Sequence, residues 1–67
     1  MDKIDILRIL DEMDDFRRKH HQHPADWCMR CMEAILAGAA GYEDRNEWTE
    51  ELKADPGSAY AKYLGGN

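Results

Sequence analysis

The segment that decides the fold is "DKIDILRILDEMDDFRRKHH", residues 2–21, near the start of the chain. Its apolar residues recur at intervals of three and four, which is the spacing of one face of an α-helix. These residues are Ile6, Ile9, Leu10, Met13 and Phe16. Acids come first and the basic run 17–19 comes last, an order that complements the helix dipole. The segment therefore predicts a long amphipathic N-terminal helix that buries this apolar face.

A second helix is predicted to begin at Pro24. Proline disfavours helical geometry in the residue before it and suits the first turn of a new helix, so the first helix should end near residues 21–23. Two glycines, Gly38 and Gly41, mark the range in which the second helix should end.

The second helix carries one broad apolar arc, opposite the charged residues Asp26, Arg30 and Glu33. These three can pair with one another at helical spacing, which is typical of a solvated face. The arc contains Trp27, Cys28, Cys31, Met32, Ala34, Ile35 and Ala39. Its width predicts that this is the central, most buried helix, with Trp27 in the core beside Trp48 from the next helix.

The C-terminal part of the chain predicts one or two short helices. Asp44, followed three residues later by Glu47, resembles a capping box that opens a third helix. The segment "DPGS", residues 55–58, ends that helix because proline cannot continue it, and Ser58 can cap a last short helix. The expected fold class is all-α, a single helical domain over residues 1–67 with three to four helices.

Length and charge limit the partners of the protein. A chain of 67 residues buries only about 60% of the surface that it exposes when unfolded, so its core is marginal. The net charge of −5 repels phosphate backbones and anionic lipids, which makes nucleic acid an unlikely partner and gives no reason to expect a membrane. The N-terminal segment lacks the pattern of a signal peptide, and we expect a cytoplasmic protein with reduced cysteines.

Three histidines and two cysteines within residues 20–31 raise the question of a metal site. His20, His23, Cys28 and Cys31 would supply two nitrogen and two sulfur ligands, the set that tetrahedral zinc prefers. However, known Cys2His2 modules close a longer loop between the two pairs than the four residues available here. Both cysteines also lie on the predicted buried arc, where free cysteine behaves as a small hydrophobic residue. We therefore expect buried cysteines and no cofactor, and keep zinc binding as an alternative.

The run "WCMRC", residues 27–31, resembles the Trp-Cys-x-x-Cys active site of thioredoxin-like proteins over these five residues. In that family the motif follows a strand and opens a helix, whose dipole activates the first thiol. This chain has a predicted helix N-terminus at the right place but no strand-like alternation. A thiol-redox-responsive protein therefore stays open beside the zinc alternative.

No pattern in the chain predicts catalysis. There is no glycine-rich phosphate cradle and no nucleophile with a base, and so small a chain has little room for a pocket of about 300 Å³. The function expected is a non-enzymatic protein–protein interaction module, a regulator, adaptor or inhibitor that binds an unidentified protein. Such a module would suit a bacterial or phage accessory protein.

Nucleic-acid mechanisms are further alternatives. A helix-turn-helix DNA binder has the right number of helices, but its recognition helix would have to be the third one, which presents Glu47, Glu50 and Glu51. The same acids would suit a DNA-mimic inhibitor.

A homodimer is expected as the remedy for the marginal core. Ile4 and Leu7 lie outside the main apolar stripe of the first helix, so packing against the second helix alone would leave apolar surface in water. Antiparallel first helices would set Asp11, Asp14 and Asp15 near the basic run 17–19 of the other copy. The expected interface comprises Ile4, Leu7, Tyr60, Tyr63 and Leu64.

Overall fold

Four helices and no strand make up the part of the chain that the computed structural model describes, residues 1–21 and 25–65. They are α1 (Lys3–Lys19), α2 (Asp26–Ala39), α3 (Arg45–Ala54) and α4 (Ala59–Leu64). The predicted all-α class is confirmed. The predicted start of α2 at Pro24, and His23 of the zinc alternative, lie outside the described residues.

The starts of α3 and α4 are fixed by local side-chain caps. Asp44 Oδ1 accepts a hydrogen bond from the Glu47 amide at 3.2 Å, and Glu47 Oε2 accepts one from the Glu43 amide at 3.0 Å. Ser58 Oγ accepts from the Ala61 amide at 2.9 Å. Both predicted caps are confirmed.

The end of α2 is set by Gly41. Its φ of 89° lies in the left-handed region, which glycine adopts without a steric penalty. The Tyr42 amide then donates to the Ala37 carbonyl at 2.9 Å, which closes the last turn. This turn brings the Tyr42 side chain into the core.

The core lies between α1 and α3 and is closed by the end of α2. It is formed by Ile6, Leu10, Ala37, Tyr42, Trp48 and Leu52. The predicted apolar face of α1 is confirmed, because Ile6, Leu10 and Met13 are buried and Ile9 and Phe16 are half-buried. Trp48 is buried, as expected.

The orientation of α2 is the opposite of the one predicted. Trp27 and Ile35 are each 72% exposed, whereas Glu33 is only 5% exposed. Cys28 and Cys31 are exposed as well, so the predictions of buried cysteines and of a core position for Trp27 were wrong. The physical reason is that α2 contacts α1 and α3 on one side, while α4 packs on those same two helices and does not reach α2.

The last helix is attached to the first by Asp11. Its two carboxylate oxygens accept hydrogen bonds from the Ala59 amide at 2.9 Å and the Tyr60 amide at 3.0 Å. Ser58 Oγ, which is fully buried, donates to the Leu52 carbonyl at 2.6 Å. These contacts hold the start of α4 against α1 and α3.

Within the described ranges, none of the helices combines the length and the apolar content needed to cross a membrane.

Candidate protein-interaction surface

The most unusual feature of the molecule is an uncharged, water-exposed face along the whole of α2, called here the outer face. Its positions follow one another at intervals of three and four, and every one of them is exposed. The outer face consists of Trp27, Cys28, Cys31, Met32, Ala34, Ile35, Gly38 and Ala39. Proteins seldom leave a continuous apolar surface in water unless it binds something.

The outer face points outward because ion pairs hold the opposite side of α2 inward. Arg17 of α1 donates from Nε to Asp26 Oδ1 at 3.0 Å and from Nη1 to Glu33 Oε2 at 2.5 Å. Arg45 of α3 donates to the same Glu33 oxygen at 3.2 Å. The hydrogen bond from Arg17 lowers the pKa of Asp26 below its usual range, so this carboxylate stays charged.

The ion network continues to a second buried carboxylate, Asp14 of α1. Arg45 Nη2 donates to Asp14 Oδ1 at 2.5 Å, and Arg18 Nη1 donates to Asp14 Oδ2. Three helices are thereby joined through two buried acids and three arginines, and the rotation of α2 about its own axis is fixed. This network was not predicted from the sequence, because most of its pairs join residues on different helices that are 9 to 31 positions apart.

Gly38 lies within α2, and nothing in the described part of its own chain explains why this position is a glycine. Its φ is not positive, and a Cβ added there would meet nothing within 4 Å. Glycine inside a helix costs about 1 kcal/mol relative to alanine. The small size of this residue is therefore not required by the packing of the described chain, and it leaves room above the helix.

The two thiols of the outer face are free and exposed one helical turn apart. Of the candidate ligands in the zinc alternative, His20 is also exposed, and its ring centroid lies 4.6 Å from that of Phe16. Among the described residues, no group of three or more potential ligands is close enough to hold a metal ion.

The predicted interface residues fall into two groups. Ile4 is 68% exposed, and Tyr63 and Leu64 are exposed too. Leu7 and Tyr60 are instead partly buried and pack against the core. The structure thus does not bring the five residues together as one open surface.

A cleft of about 570 Å³ opens between the inner side of α2 and the start of α3. It is larger than the sequence analysis expected for so small a chain. Its walls include Arg17, Glu33, Tyr42, Arg45 and Trp48, whose polar groups are mostly engaged with one another or with α1 and α3.

Comparisons of the chain with protein-family models, with curated proteins and with solved structures gave no match. Its function is therefore inferred from the outer face and from the ion network that orients it.

Proposed function

We propose that the protein is a small, acidic, non-enzymatic interaction module that binds an apolar helix of a partner protein along the outer face of α2. A regulator, adaptor or inhibitor would act in this way. The observation that supports the proposal is a face of eight uncharged positions that the rest of the described chain leaves in water.

The outer face contains the side chains that usually supply binding energy. Tryptophan is the residue most enriched at the energetic centres of protein interfaces. Burying a side chain the size of Ile35 or Met32 contributes about 1.5–3 kcal/mol, and an aromatic residue such as Trp27 removes 150–250 Å² from water when it is covered, by general estimates. Together these anchors favour a specific complex over a chance contact.

The spacing along the outer face favours a helix as the partner element. Cys28, Cys31, Ile35 and Gly38 are separated by three, four and three residues, which is the alternation of the central seam between two packed helices. The remaining positions flank this seam on both sides. An apolar helix of the partner would cover all eight positions at once.

Site-specific photocrosslinking in cells that produce the protein tests this proposal. A photoreactive amino acid at Ala34, which is small and lies on the outer face, should yield a cross-linked protein adduct. The same amino acid at Lys53, which is exposed on α3, is the matched control and should not. Addition of Ile35→Glu should abolish the adduct. Absence of any adduct that depends on Ile35 would contradict the proposed function.

The zinc or thiol-redox alternative is supported by a separate observation, the two exposed thiols one turn apart at the start of α2. A zinc-binding protein using His20, His23, Cys28 and Cys31 should carry about one zinc ion per chain when purified without chelator. The double variant Cys28→Ser, Cys31→Ser should lose the metal. Metal-free wild-type protein would contradict the zinc alternative. The thiol-redox alternative would then be tested by titration of the two thiols.

The DNA-mimic and helix-turn-helix alternatives remain predictions. On α3, all three glutamates are exposed, and Glu51 in addition accepts a hydrogen bond from Tyr42 and forms an ion pair with Lys3. An acidic face of this kind suits imitation of a phosphate backbone better than contact with one.

A further inference from the structure

We propose that the partner of the outer face is a second copy of this chain, with the two α2 helices packed antiparallel so that Cys28 lies opposite Gly38 and Cys31 opposite Ile35. This inference rests on the proposed function and names the partner of the same surface.

The side chains of the outer face become smaller from one end of α2 to the other, so two copies that run in opposite directions fit each other. Its bulk is greatest at the N-terminal end, at Trp27, and smallest at the C-terminal end, where the helix finishes in "GAAG", residues 38–41. An antiparallel copy places the large end of each helix over the small end of the other. A parallel copy would instead set Trp27 against Trp27 and leave the small ends without contact, which is poor packing.

Gly38 supplies a second argument for close approach by another helix. An added Cβ there has open space in its own chain, and the backbone conformation does not require glycine. A residue without a side chain at the seam of two helices lets the opposite side chain come close to the backbone. In the proposed register that side chain is Cys28 of the other copy, with Trp27 beside it.

The distribution of charge near the two ends of α2 also favours an antiparallel pair. The exposed basic residues Lys19, at the end of α1, and Arg30, in the first half of α2, pair with Asp15 and Asp26 at the surface, whereas the exposed acids Glu43, Asp44 and Glu47 follow the end of α2. An antiparallel pair sets the basic end of each copy near the acidic end of the other, and it also opposes the two helix dipoles. A parallel pair would bring like charges together at both ends, which is unfavourable for a chain of net charge −5.

The surface that a dimer would need is a modest share of the total. The described chain exposes 4624 Å², and a stable pair of proteins commonly buries about 800 Å² from each partner, or about a sixth of that surface. The outer face provides an uncharged centre about 18 Å long, from Trp27 to Ala39, and exposed charged side chains such as Arg30 and Glu43 provide a polar rim.

The first helix is a weaker candidate for self-association. Ile4 is exposed, but Leu7 packs against the core of its own chain, so α1 offers one open apolar residue where α2 offers a continuous face. Ile4 therefore serves as the matched control for the outer face.

The first experiment measures the mass of the purified protein by light scattering after size exclusion, at tens of micromolar. Wild-type protein should have twice the 7.8 kDa mass of the chain. Ile35→Glu should be monomeric with unchanged helicity, with association weakened by more than about tenfold because a charge cannot be buried at the seam without a partner. Ile4→Glu should keep the dimer mass. A monomeric wild type would overturn the inference, and so would a dimer that Ile4→Glu dissociates and Ile35→Glu does not.

A second variant separates association from folding. Gly38→Leu should raise the thermal stability of the isolated chain, since leucine favours the helix over glycine and its Cβ would have no neighbour within 4 Å among the described residues. The same variant should weaken the dimer, since it fills the space needed by the other copy. A variant that is more stable and equally dimeric would contradict the close approach at Gly38.

Cysteine cross-linking tests the direction of the helices. In the antiparallel register, the two copies of residue 28 are ten positions apart along the seam, or about 15 Å, too far for a disulfide. Cys31→Ser alone should therefore stay unlinked under mild oxidation. Cys31→Ser combined with Gly38→Cys should form a covalent dimer through residues 28 and 38. Efficient linking of Cys31→Ser alone would show parallel helices and overturn the proposed register.

The photocrosslinking result distinguishes a failure of this inference from a failure of the proposed function. An Ile35-dependent adduct with a different protein, together with a monomeric purified chain, would end the self-association and keep the interaction module. An adduct of twice the chain mass supports both. Absence of any adduct would contradict both.

Discussion

Glu33 is a charged side chain in a buried position, and its surroundings explain how that is tolerated. Its Oε2 accepts hydrogen bonds from Arg17 and Arg45, which belong to two other helices. A buried charge is costly unless it is paired, and Oε1 of the same carboxylate is buried without a hydrogen-bond partner among the described residues, so the two arginines are what compensate the charge. Turning α2 the other way would break both pairs, and we therefore expect Glu33 to favour the observed orientation of α2.

Substitution of Glu33 by glutamine should destabilise the fold. The variant keeps the shape of the side chain but leaves two arginines facing a neutral group, and we expect a loss of about 1–3 kcal/mol in the free energy of unfolding. Urea unfolding followed by circular dichroism measures this loss. Glu50→Gln, at an exposed position, is the control and should stay within about 0.5 kcal/mol of wild type. Equal stability of the two variants would show that the ion network does not hold α2.

Residues whose partners are close in sequence were predictable, and Glu33 was not. Asp44 and Ser58 cap helices through groups three residues away, so their role can be inferred from a short pattern. The partners of Glu33 are 16 and 12 residues away. No local rule joins those positions, and the spacing of Glu33 with Asp26 and Arg30 indicated a solvated face instead.

At the scale of the element, α4 depends on α1. A helix of six residues is far below the length at which a helix is stable alone. Asp11 supplies acceptors for two of its first amides from a carboxylate that is itself buried. The position of α4 is therefore set by a residue from the other end of the described chain.

Replacing Asp11 by alanine should release α4 while the other helices stay folded. The lost hydrogen bonds to a charged acceptor should lower the free energy of unfolding by about 2 kcal/mol. Hydrogen exchange checks the element directly, since the amides of residues 61–64 should lose their protection. Glu12→Ala, one residue further along the same helix and exposed, should leave that protection intact. Protection that survives in the Asp11 variant would mean that packing, and not the cap, holds α4.

The orientation of α2 shows what a helical period does and does not predict. The period correctly indicated which residues of α2 share a face, and the same method correctly located the buried face of α1. The side that becomes buried depends on where the neighbouring helices lie, and α2 has neighbours on one side only. For this reason the sequence pattern wrongly predicted that the outer face of α2 is buried, and only the structure shows that it is exposed.

At the scale of the whole molecule, composition and helix signals were enough for the all-α class and the number of helices. The homodimer, the cytoplasmic location and the interaction function remain predictions.

Three carboxyl groups on different elements have a pKa below the ordinary value: Asp26 through the hydrogen bond from Arg17, Glu51 through that from Tyr42, and Asp55 through those from the Gly57 amide and Arg8.

These shifts predict a loss of stability in acid. A carboxyl whose pKa is lower in the folded state adds stability that is complete above its ordinary pKa of about 4 and disappears as the pH falls through the folded value. Asp55→Asn should therefore be less stable than wild type at pH 6, and the difference should shrink steadily as the pH falls below about 4. Urea unfolding at each pH measures it. A difference that is constant or grows in acid would contradict the assignment of Asp55.

The attachment of α4 to Asp11 has a consequence for folding during synthesis on the ribosome. The bonded groups are 48 and 49 residues apart, so Asp11 emerges from the ribosome long before Ala59 and Tyr60 are synthesised. At about 5–20 residues per second, the nascent chain waits on the order of 2–10 s with this carboxylate unmatched. The attachment of α4 is thus made only after residues 59 and 60 have been synthesised, and a chain stalled before residue 59 would carry an open α1 surface to which a chaperone can bind.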